Sequence, residues 1–361
     1  MKSAPPFNMR KYAVYIALIP LVLLALTPPW NIQLDCTVNG LLWLWCNLVA
    51  GFLAFLFLYQ KVSVWIKSLL VWCFISCFLS RAPYISFTMF WSVILCAYYY
   101  VLCKHIKNWP AVIKAMQAIF FLVSLLIVMQ MFGKDTLLNF GLKAPCVLGL
   151  IGNKMILGSF MCVLAPFLIY NPLNWAALVL IAFISASSGA VASIGAGLVT
   201  YVWKKHKDFR LHVLCIVVIA SVLFAWNTGK FKVFGVSGRG PVWVKTCELI
   251  AKRPIGYGPA TYKVIFPALC GKSIRDQQPG REWNTAHNDW LQIPFEVGIM
   301  GFFLFLGWIV SVVRKVKDPV KIAGVAILAT NMAIHFPTRM AQSVLILIMY
   351  MAFLEEKEYG R

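Results

Sequence analysis

Long apolar runs follow one another along most of this chain, separated by short connections where lysine, arginine, glycine and proline collect. The runs lie near residues 11–28, 39–59, 64–80, 84–103, 110–132, 154–171, 173–186, 188–203, 210–226, 288–313, 319–336 and 341–354. A helix needs about 20 apolar residues to cross a hydrocarbon core of roughly 30 Å. An open sheet would leave its edge groups unsatisfied in lipid, so successive spans must be helices. The pattern therefore predicts an all-α fold, a polytopic transmembrane helical bundle of about 12 spans. The rhythm changes only from about Asn227 to Ala286, a long water-compatible stretch. One membrane domain in three parts follows: residues 1–226 with nine spans, 227–286 as an elaborated loop, and 287–361 with three more.

Composition agrees with the pattern. Of 361 residues 61% are hydrophobic and 12% charged, with mean hydropathy +0.79, outside the range of ordinary soluble domains. The distribution of basic residues predicts orientation. Lys2, Arg10, Lys11, Lys61, Lys104, Lys107, Lys204, Lys205, Lys207, Arg210, Arg314, Lys315, Lys317 and Lys321 fall on one side of the spans, and only Arg81, Lys134, Lys143 and Arg339 in the opposite short connections. The positive-inside rule then places both termini in the cytoplasm and the long loop outside. The first span reads as uncleaved, since no small-x-small site follows it. The formal net charge of +21 is explained by this topology, and the basic residues form no nucleic-acid reader. Of eleven cysteines, Cys36, Cys146, Cys247 and Cys270 are expected outside, where disulfides are possible. No cysteine spacing resembles a metal-ligand set.

The loop holds ten Lys or Arg against three acids. Within it Gly238 to Lys252 predicts a surface helix, with Val242, Trp243, Thr246, Cys247 and Ile250 on one face and Lys245, Glu248 and Lys252 on another. Arg253-Pro254-Ile255-Gly256-Tyr257-Gly258-Pro259 then stops the helix and forms a fixed turn. Arg239 falls at the helix start, where free amides and the helix dipole favour an anion. It either holds a phosphate there or anchors to lipid headgroups.

At the loop's exit, Asn284-Thr285-Ala286-His287-Asn288-Asp289-Trp290 runs into the tenth span. Asn288, Gln292 and Glu296 are four residues apart and make one polar stripe on a helix, with Glu296 about 13 Å below His287. Glu296 is the one acid well inside an expected span, and a carboxylate at that depth marks function or a specific partner. His287, with an ordinary pKa near 6.5, is the general-base candidate; the alternative is an amphipathic interfacial residue.

Taken in order, Ser237-Gly238-Arg239, Arg253-Pro254-Ile255-Gly256-Tyr257-Gly258, and Ala286-His287-Asn288-Asp289-Trp290-Leu291-Gln292 with Glu296-Val297-Gly298 and Gly301 resemble the core signature of the O-antigen ligase and polymerase family. A weaker echo is Gly152-Asn153-Lys154-Met155 before Leu164-Ala165-Pro166, where that family has a glycine-asparagine turn ahead of a span.

The resemblance implies a membrane glycosyltransferase at the outer face of the bacterial inner membrane, with the large loop periplasmic. Such enzymes take a saccharide from an undecaprenyl diphosphate carrier. Ligases pass it to a glycolipid such as the lipid A core, and polymerases join it to another carrier-linked repeat, neither needing nucleotide, cofactor or catalytic metal. Polysaccharide-assembly proteins are possible partners. Carried onto this chain, Arg239 would bind the diphosphate and stabilise leaving-group charge. His287 would deprotonate the acceptor hydroxyl for an inverting displacement, Asn288 would orient the histidine or a sugar, Glu296 would brace the helix, and Asn153 would line the substrate site.

One departure stands out. Many family members carry an arginine after serine at the start of the eighth span, whereas this chain reads Ser187-Ser188-Gly189-Ala190, with Ser188 in that place. Arg81 or Arg339, both expected at external span ends, would substitute for it at the diphosphate or serve as interfacial anchors. Two other classes fit the same spans. A transporter would show paired halves and several midplane ionisable residues, and a non-catalytic assembly or sensor protein would tolerate loss of His287.

Overall fold

The computed structural model describes residues 63–131, 154–184, 187–205, 239–277 and 283–356, and among these every regular element is helical. In chain order they are α1 (Val64–Phe78), α2 (Pro83–Cys103), α3 (Trp109–Met131), α4 (Lys154–Leu168), α5 (Pro172–Ile184), α6 (Ser188–Lys205), α7 (Gly240–Lys252), α8 (Tyr262–Gln277), α9 (Asp289–Val313), α10 (Pro319–Ile334) and α11 (Ala341–Leu354), with a 3₁₀ turn at Pro337–Arg339. Apolar composition favours helix in these segments, and their ends are marked locally. Pro83 opens α2 and Pro319 opens α10, each at a position whose N–H would be unpaired anyway. Asp318 caps α10 by accepting from Val320 N at 2.8 Å.

Among the described residues three helices are long and apolar enough to cross a membrane: Pro83–Cys103, Trp109–Gln130 and Asp289–Val313. Shorter apolar helices accompany them, among them Val64–Phe78, Pro319–Ile334 and Gln342–Leu354. Helices stand where nine of the expected spans were placed; the runs near 11–28, 39–59 and 210–226 lie outside the described residues.

Lipid offers helices no hydrophobic drive to associate, so close backbone packing at small residues takes over. On α6, Gly189, Ser193 and Gly197 recur every four residues and are buried, forming a seam against α10. A side chain at Gly197 would collide with Ile327, and one at Gly189 with the His335 ring. Aromatic packing joins α3, α4 and α11: Trp109 lies 4.8 Å and Phe167 5.8 Å from Phe353, centroid to centroid. Lys321, expected in a charged connection, is buried. It donates from Nζ to Phe353 O at 2.9 Å and Glu356 O at 2.6 Å, satisfying carbonyls that the end of α11 leaves free.

The loop has its own small core of Val242, Leu249, Tyr257, Tyr262, Phe266 and Phe295. The helix expected from Gly238 to Lys252 is present as α7. Helix α8 was not anticipated, because Pro267 and Gly271 interrupt its pattern, yet Tyr262, Phe266, Cys270 and Ile274 are four apart and all buried. Tyr262 stacks on Phe266 at 4.8 Å and meets Phe295 of α9 edge-on at 4.8 Å. Cys247 and Cys270 are not joined to each other; Cys36 and Cys146 lie outside the described residues.

The tenth expected span is not one smooth helix. Gly298, at φ 74° and ψ 174°, breaks α9, and the Arg253–Gly258 turn docks into the break. Tyr257 N donates to Phe295 O at 2.9 Å, Gly258 N to Glu296 O at 2.8 Å, and Ile299 N to Pro254 O at 2.8 Å. Trp72 Nε1 of α1 donates to Val297 O at 2.7 Å. The carbonyls and amide freed by the break are thus re-satisfied, as a helix interruption inside lipid requires.

Candidate active site

The residues on either side of His287 each have a structural task. Ala286 O accepts from Trp243 Nε1 of α7 at 2.8 Å, and Ala286 N donates to Gln292 Oε1 at 3.1 Å. Asn288 is the N-cap of α9, its Oδ1 accepting from Leu291 N at 3.2 Å. Asp289 Oδ2 accepts from Thr338 N at 3.0 Å, and Trp290 Nε1 donates to Ala329 O of α10 at 2.9 Å. Between these anchors His287 adopts φ 51°. That left-handed conformation is uncommon outside glycine and held only by its surroundings.

The His287 ring is half-buried in an aromatic slot. It lies edge-on to Phe336 at 4.8 Å and to Trp283 at 5.6 Å, and its Nδ1 is enclosed without a hydrogen-bond partner among the described residues. Burial first, and the Arg239 guanidinium second, push its pKa down to about 4. The imidazole is therefore neutral, with a free lone pair, across the physiological range.

Arg239 is the N-cap of α7, and its one-turn spacing from Trp243 brings it to the His287 side of the helix. Its side chain is buried and donates from Nη1 to Ile334 O at 2.6 Å. A guanidinium has five N–H donors, and Arg239 forms no ion pair among the described residues. A buried cation without a carboxylate is costly unless an anion meets it. The next residue after Ile334 is His335, also buried, whose ring packs over Gly189. Ser188, standing where the family pattern has arginine, opens α6 beside that ring. His335 went unread in the sequence, where it falls inside the apolar run near 319–336.

Beneath His287 the expected polar stripe is a hydrogen-bond chain. Gln292 Nε2 donates to Glu296 Oε1 at 3.0 Å, and Glu296 Oε2 accepts from Ala260 N at 2.8 Å. The same oxygen pairs with Arg339 Nη1 at 2.8 Å. Arg339 Nε also lies 4.0 Å from Asp289 Oδ1, so the 3₁₀ turn is strapped along the first two turns of α9. Asp289, fully buried, was not singled out from the sequence, although its place at the head of a span gave the signal. An apolar cavity of about 190 Å³ among α1, α2, α9 and α11, walled by Met89, Tyr100 and Phe305, reaches Glu296 and Arg339.

The structure thus gathers Arg239, His287, Asn288 and, two turns below, Glu296 with Arg339. Arg81 is not among them. It sits at the far end of α7, where its N donates to Tyr257 O at 3.0 Å. The 13 residues of α7, at 1.5 Å each, span about 20 Å, far more than one diphosphate bridges. Asn153 lies outside the described residues.

Residues 173–306 match the family model described as O-Antigen ligase. The match runs from α5 into α9 and contains Ser188, Arg239, the docked turn, His287 and Glu296. Over this segment the chain is similar to the O-antigen ligase family, and among the described residues it has three helices long and apolar enough to cross a membrane. A function of the O-antigen ligase or polymerase type is supported, with the lipid-linked glycan setting that accompanies it. Comparison with curated proteins finds no match to the chain.

Proposed function

We propose that this protein is an O-antigen ligase-like glycosyltransferase that moves a saccharide from undecaprenyl diphosphate to an acceptor hydroxyl, such as one on a lipid A core. The observation that carries the reading is the pairing of a buried, carboxylate-free Arg239 with a neutral His287 held in a strained turn beside it. His287 takes the acceptor's hydroxyl proton. The oxygen so released attacks the anomeric carbon from the face opposite the leaving group and inverts that centre. The bond from the anomeric carbon to the phosphate oxygen breaks, its electron pair stays on the diphosphate, and Arg239 stabilises the developing charge. No step requires a nucleotide.

Donor binding also prepares the base. An anion at Arg239 offsets the positive charge that depresses His287, so the imidazole becomes more basic when the diphosphate arrives. The apolar cavity that reaches Glu296 and Arg339 offers space for part of an isoprenoid chain. Asn288 and the Gln292–Glu296–Arg339 chain act as positioning residues for the turn that presents His287. Joining of carrier-linked repeats, the polymerase reaction, would use the same groups.

The test is glycan transfer by purified protein with an undecaprenyl diphosphate-linked donor. His287→Ala is expected to lower kcat by roughly 10²- to 10⁴-fold, and Arg239→Ala by roughly 10²- to 10³-fold. Full activity in both variants, each correctly folded, would refute the assignment. Parallel runs with a lipid A core acceptor and with a second donor repeat separate ligase from polymerase.

A further inference from the structure

At the opposite end of α7 from Arg239 lies a separate cavity of about 410 Å³. Arg81, Lys245, Lys252 and Arg253 line it, and Glu248 is the one acid among the described residues on its wall. Lys245 is paired with Glu248 at 2.8 Å, so three cations remain uncompensated among the described residues. Arg81 and Arg253 flank Tyr257, their guanidinium carbons 5.8 and 5.7 Å from the ring centroid. The ring holds both cations toward the cavity without neutralising them. Arg253 is also fixed from behind, donating from Nη2 to Leu79 O at 2.6 Å and from Nε to Gly256 O at 2.7 Å.

Like charges do not converge without cost, and a concave site that gathers them concentrates anions. We propose that this cavity is a second anion site that binds a phosphate group, and that the phosphate belongs to a lipid headgroup. The lipid source is argued from the flanks. Leu269, on the cavity wall, is 47% exposed, and Tyr84, three residues after Arg81, is 86% exposed. Val244 and Ile255, each adjacent or nearly so to a lining cation, are exposed as well. Apolar and aromatic side chains interleaved with lysine and arginine are the composition of a surface that rests at the headgroup level of a membrane. The site does not depend on the transfer reaction proposed above and would stand if that reaction were disproved.

The experiment uses the full chain in a neutral detergent, titrated calorimetrically with dihexanoyl phosphatidic acid, dihexanoyl phosphatidylcholine and inorganic phosphate. Phosphatidic acid is expected to bind, with affinity falling roughly tenfold or more in Arg81→Gln/Lys252→Gln, both exposed positions whose change leaves the fold intact. Glu248→Gln releases Lys245 and is expected to tighten binding severalfold, a gain that misfolding cannot mimic. Binding of phosphatidic acid above inorganic phosphate supports the lipid source; equal affinities keep the site and transfer it to a soluble anion. Unchanged affinity in the double variant, or phosphatidylcholine binding as well as phosphatidic acid, would overturn the proposal. Because the readout is binding rather than transfer, its failure is distinguishable from failure of the Arg239 and His287 assignment.

Discussion

Replacing Arg339 by glutamine distinguishes two roles for this arginine, holding a diphosphate or fixing Glu296. Its Nη1 lies 2.8 Å from Glu296 Oε2, with the two side chains 18% and 2% exposed, so solvent screens the pair weakly. Breaking a buried pair by removing one partner costs about 3–5 kcal/mol. Glu296 keeps two donors in the variant, Gln292 Nε2 and Ala260 N, which places the expected loss at about 2–3 kcal/mol, or roughly 30- to 150-fold in the folding equilibrium. Glu296→Gln removes the charge from the other side, so the double variant Glu296→Gln/Arg339→Gln should be more stable than Arg339→Gln alone. Denaturant unfolding in mixed micelles, arranged as a double-mutant cycle, measures the coupling, with glycan transfer followed on the same samples. If Arg339 fixes Glu296, the double variant regains both stability and transfer. A double variant as stable as the wild type but still without transfer would refute that role and assign Arg339 to the substrate.

Three further outcomes are expected. Gly256, at φ 87°, faces the backbone of Glu296 and Gly298, so Gly256→Ala should undock the turn from the α9 break, lowering the thermal midpoint and transfer together; an unchanged midpoint would contradict the docking. His287 takes a proton near pH 6.5 in the unfolded chain but only near pH 4 when folded. Its contribution to stability is therefore full above about 6.5 and falls as pH drops from there toward 4. His287→Gln should flatten that part of the profile, and Arg239→Gln should raise the imidazole pKa read by nitrogen NMR; a pKa unmoved by Arg239→Gln would separate the two residues. Asn288→Ala removes the α9 cap, costing about 0.5–2 kcal/mol, and should lower transfer with partial rescue by Asn288→Asp; equal activity of Asn288→Ala and wild type would deny it a positioning role.

Much of this arrangement can be read from the chain. Apolar runs marked α1 to α6 and α9 to α11 within a few residues, because in lipid a run of that length has no other way to pair its backbone. The four-residue spacing of Asn288, Gln292 and Glu296 announced a shared face, and Pro254 with Gly256 announced a turn. Helix α8 was equally present in Tyr262, Phe266, Cys270 and Ile274, but Pro267 masked it. The break in α9 was not legible: Gly298 is compatible with a continuous helix until Tyr257 and Gly258 supply donors from elsewhere.

What the sequence determined alone was local: which segments are helical, where they stop, and which residues share a face, since these follow from hydrogen bonds and contacts within a few residues. What tertiary structure decided was partnership across the chain. Arg339 meets Glu296 from 43 positions away (339 − 296), Arg239 reaches Ile334 beside the arginine-less start of α6, and Arg81 bonds Tyr257 beyond the end of α7 opposite Arg239. Charge alone made these arginines equivalent. Only the packing of rigid helices, which holds each against a different part of the bundle, determines which anion each can reach.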